Sequence, residues 1–325
     1  MIGGCVIGGR VIDDRVIDGR VIGSGPIAPP SLSSGRRPDP VSRPLYGEHA
    51  MKKVLVPLTG RPLDRRAVAS AFLVAERFGA HVEGLSVMPQ VEIRTSIESA
   101  AIPKALVEQL IRIGQAEQAE VVDAAHLLFD EFRGRHGGVA ASWQQATGPL
   151  AETVSEEARL ADVTVIAQAS DGTNAMGPVI EAALFGSGRP LLLAPKAEPA
   201  ALGETVAVAW DGGAAAARAV ATAIPFLHRA GKVVVLSTDT PQDCRSADPD
   251  RLTRYLALHG IVAAVRRMAA SSGVSRALLE NAQALGCDLL VMGGYGHSRV
   301  RERVWGGVTL DILREPPTLP ILMAH

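Results

Sequence analysis

The chain has 325 residues, the length of two domains of roughly 150 residues with some chain to spare. It carries 33 lysines and arginines and 34 aspartates and glutamates, and a formal net charge of −1 argues against a nucleic-acid binder with a basic face. Its three cysteines form no C-x-x-C motif, which excludes a disulfide framework and a zinc ribbon and favours the reducing cytoplasm.

The first fifty residues lack the pattern of a folded domain. A five-residue repeat, Val-Ile-x-x-Arg, matches neither the helical nor the strand period, and Arg10, Arg15 and Arg20 interrupt any apolar run that could serve as a secretion signal. A Gly/Pro/Ser-rich stretch follows. We therefore predict that residues 1–50 are a disordered extension, with Met51 as the biological start. The sequence contains no apolar run of the ~18 residues that a membrane span needs, so no membrane partner is expected.

From Met51 onward, short apolar strands alternate with amphipathic helices, as in a parallel sheet with crossover helices. The predicted strands of the first half cover residues 54–58, 82–87, 139–143 and 163–167, with a fifth from Pro190; the helices cover 65–78, 103–132 and 150–160, with a last one at Gly177.

The same order occurs a second time. Strands are predicted at 206–210, 233–237, 261–265 and 289–292, with a fifth from Pro320; helices are predicted at 214–229, 250–258 and 275–285, with a last one near Val308. The pattern predicts an α/β fold of two tandem doubly wound domains, 51–198 and 199–325, each a five-stranded parallel sheet with flanking helices.

Glycines are concentrated where a ligand of such a sheet binds, at the carboxyl ends of the strands. Gly293 and Gly296 follow the fourth strand of the second half, and Gly306 and Gly307 open its last helix. Glycines let backbone N–H groups approach a phosphate closely, and the N-terminus of a helix favours an anion. Asp211, after the first strand, is placed to bind ribose hydroxyls, and Met292 could contact an adenine ring. We interpret this pattern as a nucleotide cradle.

These residues resemble the universal stress protein family, whose nucleotide-binding members carry G-x2-G-x9-G-(S/T) after the fourth strand and an Asp after the first. Gly293, Gly296 and Gly306 match this spacing, whereas Gly307 stands where the family has Ser or Thr, and Thr309 could supply the missing hydroxyl. The resemblance covers residues 51–325.

The resemblance implies an adenine-nucleotide α-hydrolase-like fold with strand order 3-2-1-4-5. Family members pair through their fifth strands, which implies a pseudo-dimer within this chain and leaves a homodimer open. Members of the family either bind ATP or do not, so the implied ligand is ATP or a related adenine nucleotide, with Mg²⁺. For the fifth strands we predict a buried interface that contains Leu192 and Leu322, because an exposed apolar edge strand invites aggregation.

The first half departs from this pattern. Gly177 stands ten positions after Ala167, whereas Gly307 stands fourteen positions after Gly293, so four residues of the phosphate loop are missing, and Thr59 stands in the place of the Asp. We predict a degenerate, structural domain there, and therefore one nucleotide site per chain.

Each candidate has a plainer interpretation. The glycines after the fourth strand could form only a tight turn, Asp211 could cap the following helix, and Met292 and Cys287 could be core residues. Arg299, Arg301 and Arg303, together with His297, could bind a polyphosphate or simply face solvent.

Enzyme motifs are missing from the sequence. It contains no G-x4-G-K-[ST], G-x-G-x-x-G, H-E-x-x-H or G-x-S-x-G motif and no metal-ligand spacing, so neither catalysis nor a metal site is predicted. The leading hypothesis is a cytoplasmic stress-response sensor or scaffold that binds ATP in its second domain. The alternatives are a nucleotide-free structural or dimerisation protein and, third, a slow ATPase that uses the arginine-rich loop.

Overall fold

A computed structural model of the chain describes residues 51–89, 104–169, 176–238, 247–269, 273–294 and 306–325. The predicted extension, residues 1–50, lies outside these ranges, as do Gly296 and the arginine-rich loop.

Strands and helices alternate along the described chain. The strands are β1 (Lys53–Leu58), β2 (His81–Met88), β3 (Ala141–Thr147), β4 (Val163–Ala167), β5 (Leu191–Ala194), β6 (Thr205–Ala209), β7 (Lys232–Thr238), β8 (Ala263–Met268), β9 (Leu289–Gly293) and β10 (Ile321–Ala324). The helices are α1 (Asp64–Phe78), α2 (Lys104–Arg135), α3 (Leu150–Ala158), α4 (Gly177–Gly186), α5 (Ala214–Arg229), α6 (Pro249–Leu258), α7 (Val274–Ala284) and α8 (Gly306–Ile312).

All ten strands form one sheet in the order β3-β2-β1-β4-β5-β10-β9-β6-β7-β8. Every neighbouring pair is parallel except β5–β10, which is antiparallel. Each half therefore has the strand order 3-2-1-4-5, and the predicted tandem doubly wound fold is confirmed.

The two halves meet at their fifth strands. Leu192 lies opposite Leu322 in the antiparallel pair, with Leu193 opposite Ile321 and Leu191 opposite Met323. All of these side chains are completely buried. The predicted burial of Leu192 and Leu322 is confirmed, and it explains why two short strands consist of apolar residues alone.

A second contact between the halves joins α1 to α5. The rings of Phe78 and Phe226 pack edge to face with centroids 4.8 Å apart. Arg77 extends from α1 and donates to the carbonyls of Gly203 (2.7 Å) and Arg229 (2.6 Å), and it also pairs with Glu204. Aromatic packing and charge-assisted hydrogen bonds thus reinforce the strand pairing.

The core has two layers, one on each face of the sheet. One layer contains side chains of α1, α2, α5 and α6, and the other contains side chains of α3, α4, α7 and α8. Because both faces are covered, the central strands are apolar throughout rather than alternating. Within the described ranges no helix combines the length and the apolar character of a membrane span.

The two halves also share one hydrogen-bond device. Asp162, just before β4, accepts from the N–H groups of Lys52 (2.6 Å) and Lys53 (3.0 Å), and Asp288, just before β9, accepts from those of Gly203 (3.1 Å) and Thr205 (2.9 Å). In each half, therefore, a carboxylate ties the start of the fourth strand to the start of the first, as expected of a duplicated unit.

The third strands begin later than predicted. The sequence predicts them from 139 and 261, but β3 begins at Ala141 and β8 at Ala263. The intervening residues complete helix ends instead: the N–H of Ile261 donates to the carbonyl of Leu256, and Gly260 adopts a φ of 73°. A glycine in the left-handed conformation followed by such a bond is a common helix end. In the sequence this end is hard to recognise, because residues 261–262 are apolar and typical of a strand.

Candidate functional site

The second half has a topological switch point between the ends of β6 and β9. The chain leaves β6 toward α5 and leaves β9 toward α8, and these helices cover opposite faces of the sheet. Val208 pairs with Val291, so the residues that follow each strand, Asp211 and Gly294, meet at the same edge. Ligands of doubly wound sheets bind at such a switch point.

Asp211 stabilises the turn between β6 and α5. Its Oδ1 accepts a hydrogen bond of 2.8 Å from the N–H of Gly213, the residue that precedes α5. Gly212 between them has a φ of 75°, a conformation that favours glycine. Asp211 therefore holds the turn that leads into α5, but Gly213 is the N-cap residue of the helix and no side chain caps it. Asp211 is half-buried.

Gly293 is a glycine because α5 passes close to it. A Cβ at this position would lie 2.5 Å from the backbone N of Ala216 and 2.8 Å from the carbonyl carbon of Ala215. The first turn of α5 thus occupies the space of a side chain. The close approach at Gly293 is therefore between two backbone segments of the protein, Gly293 itself and the first turn of α5.

Gly294 connects the switch point to the junction of the halves. Its N–H donates to the carbonyl of Ala324 (2.9 Å), and its own carbonyl lies 3.0 Å from Nδ1 of His325. A Cβ here would meet only the end of the Leu184 side chain, at 2.8 Å. This contact can relax, since a leucine end can move where a backbone cannot.

The remaining candidates differ in their surroundings. Met292 is 4% exposed and belongs to the core layer that includes α8. Gly307 stands in the first turn of α8 with open space where a Cβ would lie, and Thr309, one turn in, is 2% exposed. Gly306 begins the same helix. Cys287 is buried, as its plainer interpretation predicts, and burial raises the pKa of its thiol.

An aromatic cavity of about 430 Å³ lies beside the Asp211 turn, between α5 and α6. Its walls include Trp210, Gly212, Arg251 and Tyr255. The indole Nε1 of Trp210 is buried and has no hydrogen-bond partner in the described part of the chain. A buried donor of this kind is uncommon, since such groups are normally paired.

The corresponding turn of the first half is held by a residue that the sequence analysis did not single out. Asp64, at the start of α1, accepts from the N–H of Thr59 (2.8 Å), the hydroxyl of Thr59 (3.0 Å) and the N–H of Arg61 (3.2 Å). Asp64 is completely buried, and this burial raises its pKa from 3.8 to about 6. An acidic residue at the first helical position after a glycine turn was the available signal.

The loop between the fourth strand and the last helix is shorter in the first half. Nine residues separate β4 from α4, whereas twelve separate β9 from α8. The difference between the elements is therefore three residues rather than the four counted from the sequence, because α8 begins at Gly306 and not at Gly307. Among the described residues, no group of three or more His, Cys, Asp or Glu side chains is placed to hold a metal ion.

Comparison with known proteins gives the fold a name. No family model matches the chain, and no curated protein sequence is similar to it. Among solved structures, a universal stress protein from Archaeoglobus fulgidus DSM 4304 superposes with a TM-score of 0.61 at 16% identity, covering 84% of this chain and 97% of that protein. A functionally unknown protein from Pseudomonas aeruginosa PAO1 gives a TM-score of 0.51 at 17% identity, covering 85% and 92%.

The fold is that of a doubly wound α/β protein with two switch points in one continuous sheet. More particularly, this is the fold of a tandem universal stress protein, and the resemblance predicted from the sequence is confirmed at that level.

Proposed function

We propose that the chain is a tandem universal stress protein that binds an adenine nucleotide, ATP with Mg²⁺, in its second domain, residues 199–325. It would act in the cytoplasm as a stress-linked sensor or scaffold rather than as an enzyme. The observation that carries the proposal is the position of Asp211 and Gly293, which flank the switch point between β6 and β9. A nucleotide is the ligand that this arrangement suits best.

The proposed roles follow from the local geometry. Asp211 would bind the ribose hydroxyls; a carboxylate accepts several hydrogen bonds at once, so the bond from Gly213 is compatible with this role. Gly296 and Gly306 would let the chain approach the phosphates, and Gly293 would let the first turn of α5 lie beside the site. The indole of Trp210 offers a further donor beside the Asp211 turn.

Three candidates have supporting roles in this proposal. Met292 would contact the adenine from the core side, and Gly307 would leave room at the start of α8. Thr309 would supply the phosphate-binding hydroxyl. Because Thr309 is buried, α8 would have to move before this hydroxyl could reach a ligand.

Binding is proposed for one site per chain. The first half has Thr59 in place of the aspartate, and its loop before the last helix is shorter. Titration calorimetry with Mg-ATP should therefore give a stoichiometry of one. Two equivalent sites per chain would contradict the proposed degeneracy of the first domain.

Thermal melting with and without Mg-ATP tests the proposal. ATP at ~100 times its Kd should stabilise the wild-type protein by ~2.7 kcal/mol. Asp211→Ala should lose most of this gain, since hydrogen bonds to a charged acceptor contribute ~1.5–3 kcal/mol each. Gly296→Val should lose it through the added β-branched side chain.

Asp248→Ala is the matched control for Asp211→Ala. Asp248 likewise accepts a hydrogen bond from the N–H two residues later, that of Asp250 at 3.0 Å, but it caps α6 and does not lie at the switch point. Asp248→Ala should melt at a lower temperature than the wild type and keep the full shift that ATP produces. If Asp211→Ala keeps the full shift as well, the nucleotide binds elsewhere.

The rival function is that of a nucleotide-free structural protein, and a specific observation favours it. The closeness of Ala216 explains Gly293 without any ligand, while Met292 and Thr309 are buried. A wild-type protein whose melting is indifferent to millimolar ATP would support this rival. The third hypothesis, a slow ATPase, requires phosphate release above background.

A further inference from the structure

A cavity lies in the first half, at the carboxyl ends of β1, β2 and β3 and beneath α2. Its volume is about 590 Å³, within the ~300–1,000 Å³ typical of small-molecule sites. We infer that this cavity binds a small, uncharged, mostly apolar molecule. The inference is independent of nucleotide binding in the second half.

The walls of the cavity favour an apolar ligand. The strand ends contribute Leu58, Val87 and Met88, and α2 contributes Val121 and Val122 from above. Val121 is 45% exposed although it is a large aliphatic residue facing this space. Removing such surface from water by means of a ligand is favourable in proportion to its area.

The polar groups of Thr59, in the floor of the cavity, are already engaged. The N–H and the hydroxyl of Thr59 both donate to the buried carboxylate of Asp64. If these groups bound a ligand instead, the carboxylate would lose its hydrogen-bond donors, which is costly for a buried charge. A ligand that demands hydrogen bonds from the floor is therefore disfavoured.

The start of α4 is unsuited to an anion. Met176, which lines the cavity, precedes α4 and is 3% exposed, and Pro178 stands in the first turn. Proline has no N–H to donate, and a thioether is a poor partner for an oxyanion. A phosphate or carboxylate group at the start of α4 would lose its hydration without adequate compensation. The two charged residues that line the cavity, Arg61 and Glu117, are exposed and opposite in sign, which is why the proposed ligand is uncharged.

Gly114 keeps the cavity open from the side of α2. It lies inside a 32-residue helix, where glycine is unfavourable, and it lines the cavity with nothing within 4 Å of the position of a Cβ. Gly134 lies near the end of the same helix, also with open space around its Cβ, but is not part of the cavity wall. The two glycines form a matched pair for an experiment.

Nile red, an uncharged dye whose emission shifts to the blue in apolar surroundings, is the probe. The wild-type protein should bind it saturably. Gly114→Leu, which places a side chain in the cavity, should weaken binding at least tenfold, while Gly134→Leu should bind as the wild type does. Gln118→Phe narrows the cavity from the same helix, at a half-buried position, and should repeat the effect if Gly114→Leu folds poorly.

Two results would overturn the inference. One is unchanged Nile red affinity in both folded cavity variants, which would place the dye on another surface. The other is displacement of the dye by Mg-ATP together with loss of ATP binding in Gly114→Leu, which would make the cavity a nucleotide site. If ATP fails to stabilise any variant while the dye results stand, the proposed function is lost and the cavity inference remains.

Discussion

Asp64 and Thr59 form a closed pair in which one carboxylate accepts both the backbone N–H (2.8 Å) and the hydroxyl (3.0 Å) of the same residue. This pair fixes the β1–α1 turn of the first half, as the bond from Gly213 to Asp211 does in the second. In the first half the carboxylate comes from a residue after the turn, Asp64, and in the second half from a residue before it, Asp211.

The Asp64 carboxylate should make stability depend on pH. Its pKa is about 6 in the folded protein against 3.8 ordinarily, so between these values the folded state binds more protons than the unfolded state. Stability from this group is therefore present below pH 3.8 and is lost as the pH rises through 6. The difference approaches about 3 kcal/mol.

Urea denaturation of the wild type and Asp64→Asn at several pH values measures this effect. The asparagine does not titrate, so the wild type should gain stability relative to the variant as the pH falls from 7 toward 4. Parallel pH profiles for the two proteins would show that burial does not perturb Asp64.

Gly293→Ala and Gly307→Ala should have opposite effects on the stability of the fold. The first places a Cβ 2.5 Å from the backbone N of Ala216 and should destabilise the fold by about 1–3 kcal/mol. The second adds a methyl group in open space within α8 and should stabilise by about 0.5–1 kcal/mol. Equilibrium unfolding with an unchanged m-value reports both, and equal effects would refute the steric explanation.

Phe226→Ala should cost about 3–5 kcal/mol, because its completely buried ring packs on Phe78 across the two halves. Phe226→Leu preserves more volume and should cost less. A double-mutant cycle with Phe78→Leu should show a coupling of about 0.5–1.5 kcal/mol beyond simple burial. Strict additivity would mean that the edge-to-face geometry contributes nothing of its own.

Arg77→Ala should be far more costly than Glu204→Ala, although the two side chains are partners. Arg77 also donates to the carbonyls of Gly203 and Arg229 and is only 13% exposed, whereas Glu204 is 62% exposed. We expect a loss of about 2–3 kcal/mol for the arginine and below about 1 kcal/mol for the glutamate. Chemical denaturation of both variants tests the ranking, which a larger loss for Glu204→Ala would reverse.

The sequence was sufficient for the elements of the fold because strands and helices follow local periodicity. The predicted bounds of 163–167 and 214–229 coincide with those of β4 and α5. The third strands were misplaced because Ile261, an apolar residue typical of strands, completes the end of α6. Capping of this kind depends on backbone geometry that residue type alone does not reveal.

The candidate site was less accessible to sequence reasoning. The pattern located Gly293 but not its cause, since the closeness of Ala216 arises from packing between distant segments. Likewise, Thr59 indicates the loss of an aspartate when the sequence is considered alone, while in the structure Asp64, five residues later, supplies a carboxylate to the same turn. The roles of Asp211 and the glycines toward a ligand remain predictions.

Because β5 pairs with β10, each half covers the apolar edge strand of the other. Were the chain cut between Ala194 and Thr205, each fragment would present a four-residue apolar strand with unpaired backbone groups. Such fragments would recombine with each other or with their own kind. In the intact chain that edge is occupied, so two copies of this protein would have to associate through another surface.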